Sequence, residues 1–551
     1  MSKIFSLIKN EWKKQYKKIS VKVMFLIVVV VSIAAPFLLK HFSNQNNSKY
    51  AIENYKNEIS WNETEIAQID SKNKNAEINK KIIQAQIDMN NIKIEEKISW
   101  DDWRSEVTYN AVQKKKLGIL LTGIQEGLSE NELMTNIYDF DANEIKTYYE
   151  MSKDELSKAI KKNDDEAENL YSMIKENDYM VYLQNQIKQM QLQIDDQKEQ
   201  LKELGKDNSE EAKQQIEDVK KTIAEQEEIQ VIIKYMYDNN ITYDRNDWRY
   251  NTTNDLQQSI PIKGEALMDE AGFKNQYAYE ISQNGYTYDQ YKKDREARIE
   301  EAENDIKLDW YSLENNTPQV KFSSDARASL KSTYLFYVNM AIIFVIIIAG
   351  GIVSSEYSTG TIRLLMIRPV SRWKILFAKI FSAVSMGYTV IFSGFILNII
   401  SSGIANGFSA YSIPKILVEN GNIVQHNYLL SLLPNLLFSS ISLLFIASIA
   451  FAISTVVKNT AIAVGLTMMG FLGAMPATIV AVQLKMKWIQ HTFVPYVNLT
   501  SYVDGGSSMV QQIRHMGLNL TSQAGVMHLL LITVIMLVLS FVIFIKRDVK
   551  N

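Results

Sequence analysis

The chain has 551 residues, with 59 Lys and Arg against 62 Asp and Glu, so no basic excess marks it for a nucleic-acid partner. It has no cysteine, which excludes disulfides, thiolate metal sites and a thiol nucleophile. The length admits several domains, and apolar runs at the start and in the last two-fifths enclose a middle rich in Lys, Glu, Asn, Gln and Tyr.

Residues 1–20 place Phe5, Ile8, Trp12, Tyr16 and Ile19 at helical spacing opposite Lys3, Lys9, Lys13, Lys14, Lys17 and Lys18. Such an amphipathic helix is expected to lie in the cytoplasmic interface of a membrane. Residues 21–41 are the first predicted span. Val23 to Leu39 carry no charge, and with Lys22 snorkelling the segment approaches the ~20 residues a span needs. A cleaved signal peptide is the competing reading, supported by Ser32, Ala34 and Ala35, but the apolar core exceeds the ~7–15 residues usual for one.

Residues 42–331 contain no run able to cross a bilayer and are predicted to form an extracytoplasmic helical domain held together by packing alone. Ile187, Met190, Ile194, Leu201 and Leu204 follow heptad spacing, with Gln197 in the skipped position. The sequence LGKDNSE at 204–210 reads as a stop, a turn and a new cap, and Ile216, Val219, Ile223 and Ile229 resume the spacing. The product expected at about 165–240 is an antiparallel coiled-coil hairpin. Residues 50–98 are expected to leave the membrane as a long helix, and 290–314 to return. Asp102-Trp103-Arg104 and Asp247-Trp248-Arg249 flank the hairpin and read as its packed head rather than a binding pair, since Trp and Arg commonly pack on each other. The tyrosines between 235 and 311 fit either a recognition surface or helix packing.

The second span is predicted at 332–354, with the small residues Ala349, Gly350 and Gly351 admitting a close neighbour. The third is 380–403, the fourth 429–456 containing Pro434, the fifth 461–484 containing Pro476, and the sixth 528–545. The Val457-Lys458-Asn459 turn makes the fourth and fifth antiparallel neighbours. Residues 485–526 are expected to form short helices dipping into the outer interface. Between the second and third spans, loop 355–379 sets Arg363, Arg368, Arg372, Lys374 and Lys379 against the single acid Glu356, which places it on the cytoplasmic side together with both termini. Within it Ser358, Thr359 and Gly360 read as a helix entry, Pro369 as a break and Ser371 as the cap of the next helix.

Glu356, Gly360, Thr361, Leu364, Leu365, Pro369, Ser371, Arg372 and Lys379 together resemble the first cytoplasmic loop of type-2 ATP-binding-cassette transporter permeases. That loop usually reads E, three residues, G-T, a few apolar residues, a P with S-R close behind, and a K further on. The resemblance covers residues 1–41 and 332–551 and departs in having Glu356 as the only charge after Ser354 and Ser355. It implies an elbow helix before the first span, and a coupling helix docked on separate cytoplasmic ABC ATPase subunits. It also implies a second permease copy or paralogue completing the path. Under it Glu356, Arg363 and Arg372 are candidate polar docking contacts, Gly360 and Pro369 the corners, and Leu364 and Leu365 the apolar footing. The alternative for the loop is a basic juxtamembrane segment binding anionic membrane lipids.

No G-x-x-x-x-G-K-[ST] phosphate loop occurs, so ATP is expected on the partner chain, with no cofactor and no enzymatic activity on this one. The histidines His41, His426, His491, His515 and His528 show no metal spacing. No carboxylate pair lies within a span, which argues against a proton relay. The fold expected is an all-α integral membrane protein with six transmembrane helices and the large helical insert between the first and second. The function expected is an ABC exporter permease for a hydrophobic or amphipathic cargo, such as a peptide antibiotic, a lipid-like molecule or a drug. The Lys, Asn and Ile usage fits a bacterial plasma membrane. The alternative is an ATPase-linked mechanotransmission or sensing protein that drives its outer coiled coil against an envelope partner without moving cargo. The insert could also capture an extracytoplasmic protein or peptide.

Overall fold

The computed structural model describes residues 2–43, 48–133, 140, 142–206, 209–362 and 370–546. The chain divides into two compact units, Met1–Ser43 with Gln258–Asn551, and Asn44–Gln257. It begins with α1 (Ser2–Tyr16) and, after a turn at Lys17 and Lys18, α2 (Ile19–Ser43).

The Asn44–Gln257 unit contains α3 (Ser48–Gln68), α4 (Ala76–Glu95), α5 (Trp103–Gln125), α6 (Lys153–Glu176), α7 (Tyr179–Leu204), α8 (Glu210–Asp238) and the first part of α9 (Trp248–Gly264). α3 packs on α4, α4 on α5, and α5 on α6. The apolar faces of α4, α5 and α6 meet in a core that includes Ile78, Ile82, Leu120, Leu121 and Leu156. α6 starts with a capping box, in which Ser152 and Glu155 each satisfy the other's backbone N–H. α7 and α8 form a hairpin, tied by Lys198 to Glu227 at 2.7 Å and by Gln230 Nε2 donating to the Ile187 carbonyl at 3.1 Å. Ile194 and Ile223 are buried at its seam, and the other residues of the predicted stripe are half-buried, as two helices can cover only their facing sides.

The repeated Asp-Trp-Arg triplets turn out to be helix starts. Asp102 accepts from the Arg104 backbone N–H and Asp247 from that of Arg249, each at 2.9 Å. Each arginine folds back on its own aspartate, at 2.7 Å for Arg104 and 3.7 Å for Arg249. The same device recurs at Asp325 and Arg327, at 2.8 Å for both the backbone bond and the ion pair. The shared feature is thus Asp-x-Arg, a cap whose charge is neutralised locally.

The remainder of the larger unit contains α10 (Tyr288–Glu314), α11 (Ala326–Thr333), α12 (Phe336–Ile352), α13 (Arg372–Asn406), the strands β1 (Lys415–Glu419) and β2 (Asn422–His426), α14 (Tyr428–Val456), α15 (Thr460–Gln483) and α16 (Ser522–Lys546). Six stretches are long and apolar enough to cross a membrane: Ile19–His41, Ala326–Ser358, Arg372–Asn406, Tyr428–Val456, Thr460–Gln483 and Ser522–Lys546. α12 is the central helix, packed against α13, α14 and α15, and it buries residues on every side. Close approach depends on small residues: a Cβ on Gly350 would meet Val464 Cγ2 at 2.9 Å, and one on Gly394 would meet Tyr337 Cδ1 at 2.4 Å.

Three features differ from expectation. Residues 50–98, expected as one long helix, form two, α3 and α4, broken at 69–75 and packed on each other. Residues 258–331 cluster with the membrane-spanning unit rather than with the rest of the insert. Part of the cause is α10, which packs on the β-hairpin with Gln425 Nε2 donating to the Tyr311 hydroxyl at 2.7 Å. The hairpin itself is antiparallel, pairs Lys415 with His426 through Glu419 with Asn422, and turns on Asn420 and Gly421 at φ +51° and +79°. Segment 485–526 does form short helices, at Lys487–His491, Val494–Tyr496, Leu499–Gly505 and Ser508–His515.

Candidate functional site

At the end of the second candidate span, α12 gives way to a short helix, Ser354–Ser358. The join is pinned by α14 and α15: Ser454 Oγ accepts from the Val353 and Ser354 backbone N–H groups at 3.2 and 3.0 Å, and Ser354 Oγ lies 3.0 Å from Thr460 Oγ1. The short helix closes at Thr359 and at Gly360, whose φ of +70° suits a residue without a Cβ. Ser358-Thr359-Gly360, expected as a helix entry, is thus the exit of a helix. Arg363, Leu364, Leu365 and Pro369 lie outside the described residues. Beyond them Ser371 occupies the N-cap position of α13 in extended backbone, without a side-chain cap bond.

Glu356 and Lys379 are brought together, and they are buried. Lys379 is 1% exposed and Glu356 2%. Lys379 Nζ donates to Glu356 Oε1 at 3.1 Å and to the Ile352 carbonyl at 3.1 Å, and lies 3.4 Å from both carboxylate oxygens of Glu11. Glu356 also accepts from Lys14 Nζ and from the Thr361 hydroxyl. The result is a cluster of two lysines and two glutamates, with Lys18 close enough to feel all four charges. It joins α1, the short helix and α13 in one knot. Buried charges persist only when paired and hydrogen-bonded in this way.

α1 is fixed to α13 by further polar contacts. Trp12 Nε1 donates to Ser385 Oγ at 2.7 Å, and Ser382 Oγ to the Ile8 carbonyl at 3.3 Å. Burial, reinforced by the Lys14 and Lys379 charges, holds the Lys18 ammonium below the usual lysine value. Arg372, in the first turn of α13, donates through Nη1 to the Ile545 carbonyl near the end of α16 at 3.0 Å.

Glu11, Trp12 and Lys14 are the partners that sequence reasoning missed. Glu11 carried a signal: it is the only acid before residue 53, in a segment dense with lysines. Among the described residues no group of three or more His, Asp or Glu could hold a metal ion.

The sequence model of a family described as "ABC-2 family transporter protein" matches residues 5–549. The chain is also 32% identical over 253 residues to "Uncharacterized protein YhcI" of Bacillus subtilis (strain 168), covering 45% of this chain and 76% of that one. With "Uncharacterized membrane protein YdbK" of the same organism it shares 25% identity over 206 residues, 37% of this chain and 76% of the other. No solved structure matches significantly. A match running nearly end to end, over a bundle with six candidate spans, means that the chain belongs to the ABC-2 family of transporter proteins.

Proposed function

We propose that the chain is the permease subunit of an ABC exporter, with ATP bound and hydrolysed on separate cytoplasmic subunits. The observation that carries this reading, beside the family, is the charge knot at Lys379. A segment that receives a push must be stiffly joined to the helices it moves, and Glu356 and Lys379 join the two sides of loop 355–379 to each other and to α1. In this reading the loop and both termini face the cytoplasm, where the excess of Lys and Arg favours them. Arg363, Leu364, Leu365 and Arg372 contact the ATPase, with Gly360 and Pro369 at the corners and Ser371 at the start of α13. Glu356, Thr361 and Lys379 hold the loop on the bundle from within.

The apolar spans favour a hydrophobic or amphipathic cargo. A cavity of about 330 Å³ between α12, α15 and the 494–509 segment supports this, lined by Ile343, Phe471, Met475 and Val494 with two amides at its edge. Those amides, Asn339 and Asn498, bond to each other at 3.0 Å. A second copy or a paralogue of this chain completes the path.

The test is purification of the tagged chain in mild detergent with its co-purifying proteins identified and ATP hydrolysis assayed, beside a Leu364→Asp, Arg372→Glu variant. A Walker-motif ATPase that accompanies the native chain and is lost with the variant supports the reading. Absence of any ATPase, under conditions that preserve other membrane complexes, overturns it.

A further inference from the structure

A cavity of about 690 Å³, open to solvent on one side, lies within the Asn44–Gln257 unit, far in sequence from any span. It is bounded by the first turns of α5 and α7, the last turns of α8, the 243–245 loop and the start of α9. Its volume is in the range of small-ligand sites. The chemistry of its wall narrows what could occupy it.

An apolar cargo is disfavoured because polar groups dominate the wall, among them Glu106, Asn251, Asn254 and Gln257. A quaternary or alkyl ammonium held in an aromatic cage is disfavoured by ring geometry. Such a cation needs free ring faces within about 6 Å. Here Trp103 and Tyr182 pack tilted with centroids 4.9 Å apart and Tyr243 and Tyr250 edge to face at 4.7 Å, so these four rings are engaged with one another. A phosphate or a polycation finds no large charge excess, since Asp102 is neutralised by Arg104 at 2.7 Å and the other charges of the wall are one carboxylate, Glu106, and one guanidinium, Arg245. What remains is a neutral ligand with many hydroxyls. At the rim, Trp100 and Tyr109 are 50% and 55% exposed, offering flat faces on which the C–H surface of a sugar ring can lie.

We propose that this cavity is a saccharide-binding site, with Trp100 as stacking platform and the Asn254 amide and Glu106 carboxylate as hydroxyl partners. The proposal stands independently of the transport reading, because it concerns binding by this unit alone.

The experiment is calorimetric titration of the full-length chain, in a detergent without a sugar headgroup, with chitotetraose, maltotetraose and xylotetraose, and with tetraalanine as the peptide control. Trp100→Ala and Asn254→Leu are the variants; both residues are exposed, and an unchanged unfolding midpoint verifies the fold. The expected result is saturable binding of at least one oligosaccharide, weakened about tenfold or more in each variant, as loss of a buried ligand contact produces. No saturable saccharide binding, equal affinity in both variants, or binding of tetraalanine in place of the sugars would each overturn the assignment.

Discussion

Lys379 illustrates how a single side chain can tie a membrane bundle together. Its ammonium is buried beside two carboxylates, while Lys14, the other cation of the cluster, is 49% exposed. Removing this ammonium leaves the buried Glu356 with only the half-exposed Lys14 and leaves Glu11 without its lysine, and breaking a buried pair costs about 3–5 kcal/mol. Lys379→Met is therefore expected to lower the thermal unfolding midpoint of the detergent-solubilised chain by that order of destabilisation. Combining it with Glu356→Gln removes the stranded charge, so the double variant should recover much of the loss. A double variant as unstable as the sum of the two singles would mean that the residues are not coupled. The pairing was only half legible in the sequence. Glu356 and Lys379 stood out as the acid and the last cation of one loop, but burial turns them inward, and periodicity gives no sign of that. Glu11 lies hundreds of residues away in the chain, so its contact depends on how α1 docks, which no local pattern encodes.

At the scale of elements, the spans were readable because a bilayer demands about 20 apolar residues and few sequences satisfy that by accident. Their packing was readable only in part. The small residues at 350 and 351 announced a close neighbour, and α15 is that neighbour, but the tighter contact at Gly394 was not evident. There an added Cβ would sit 2.4 Å from the ring of Tyr337, which is fully buried and has no room to turn. Gly394→Val is expected to destabilise by about 1–3 kcal/mol through overpacking. Gly470→Ala, at a position with nothing within 4 Å, should leave the unfolding midpoint unchanged or raise it slightly. The β-hairpin was missed although Asn420-Gly421 between apolar runs is a strong turn signal. The apolar context of the neighbouring spans masked it. In the other unit, burial raises the ionisation of the Tyr179, Tyr182 and Tyr250 hydroxyls above the ordinary value of 10.0. The folded state thus holds its phenolic protons where the unfolded chain would release them. That contribution to stability is complete below pH about 10 and is lost as the pH rises further. Exposed tyrosines such as Tyr50 and Tyr279 ionise first, but the phenolate absorbance of these three should appear only together with loss of helical circular dichroism; its earlier appearance, lost in Tyr→Phe variants at these positions, would show that they are solvated.

For the whole molecule, the boundary between units lay where composition was silent. Residues 258–331 share the polar helical character of the preceding stretch, so only packing reveals that they cluster with the membrane-spanning unit. The same unit contains α1, whose knot with the loop has a functional consequence if the loop receives force. With α1 anchored through Glu11 and Lys14, a push on the loop moves α1, the end of α12 and the start of α13 together. Glu11→Lys replaces one of the two carboxylates with a further cation beside Lys379, Lys14 and Lys18 and should loosen that joint without touching the proposed ATPase contact at Arg372. Substitutions along such a connection typically change coupling by about 0.5–2 kcal/mol, or roughly 2- to 30-fold. The expected outcome is therefore a native level of co-purified ATPase with ATP turnover, or its response to cargo, reduced within that range. Loss of ATPase binding in the same proportion as turnover would instead mean that α1 shapes the docking surface, and unchanged turnover would mean that the knot stabilises the fold without transmitting motion.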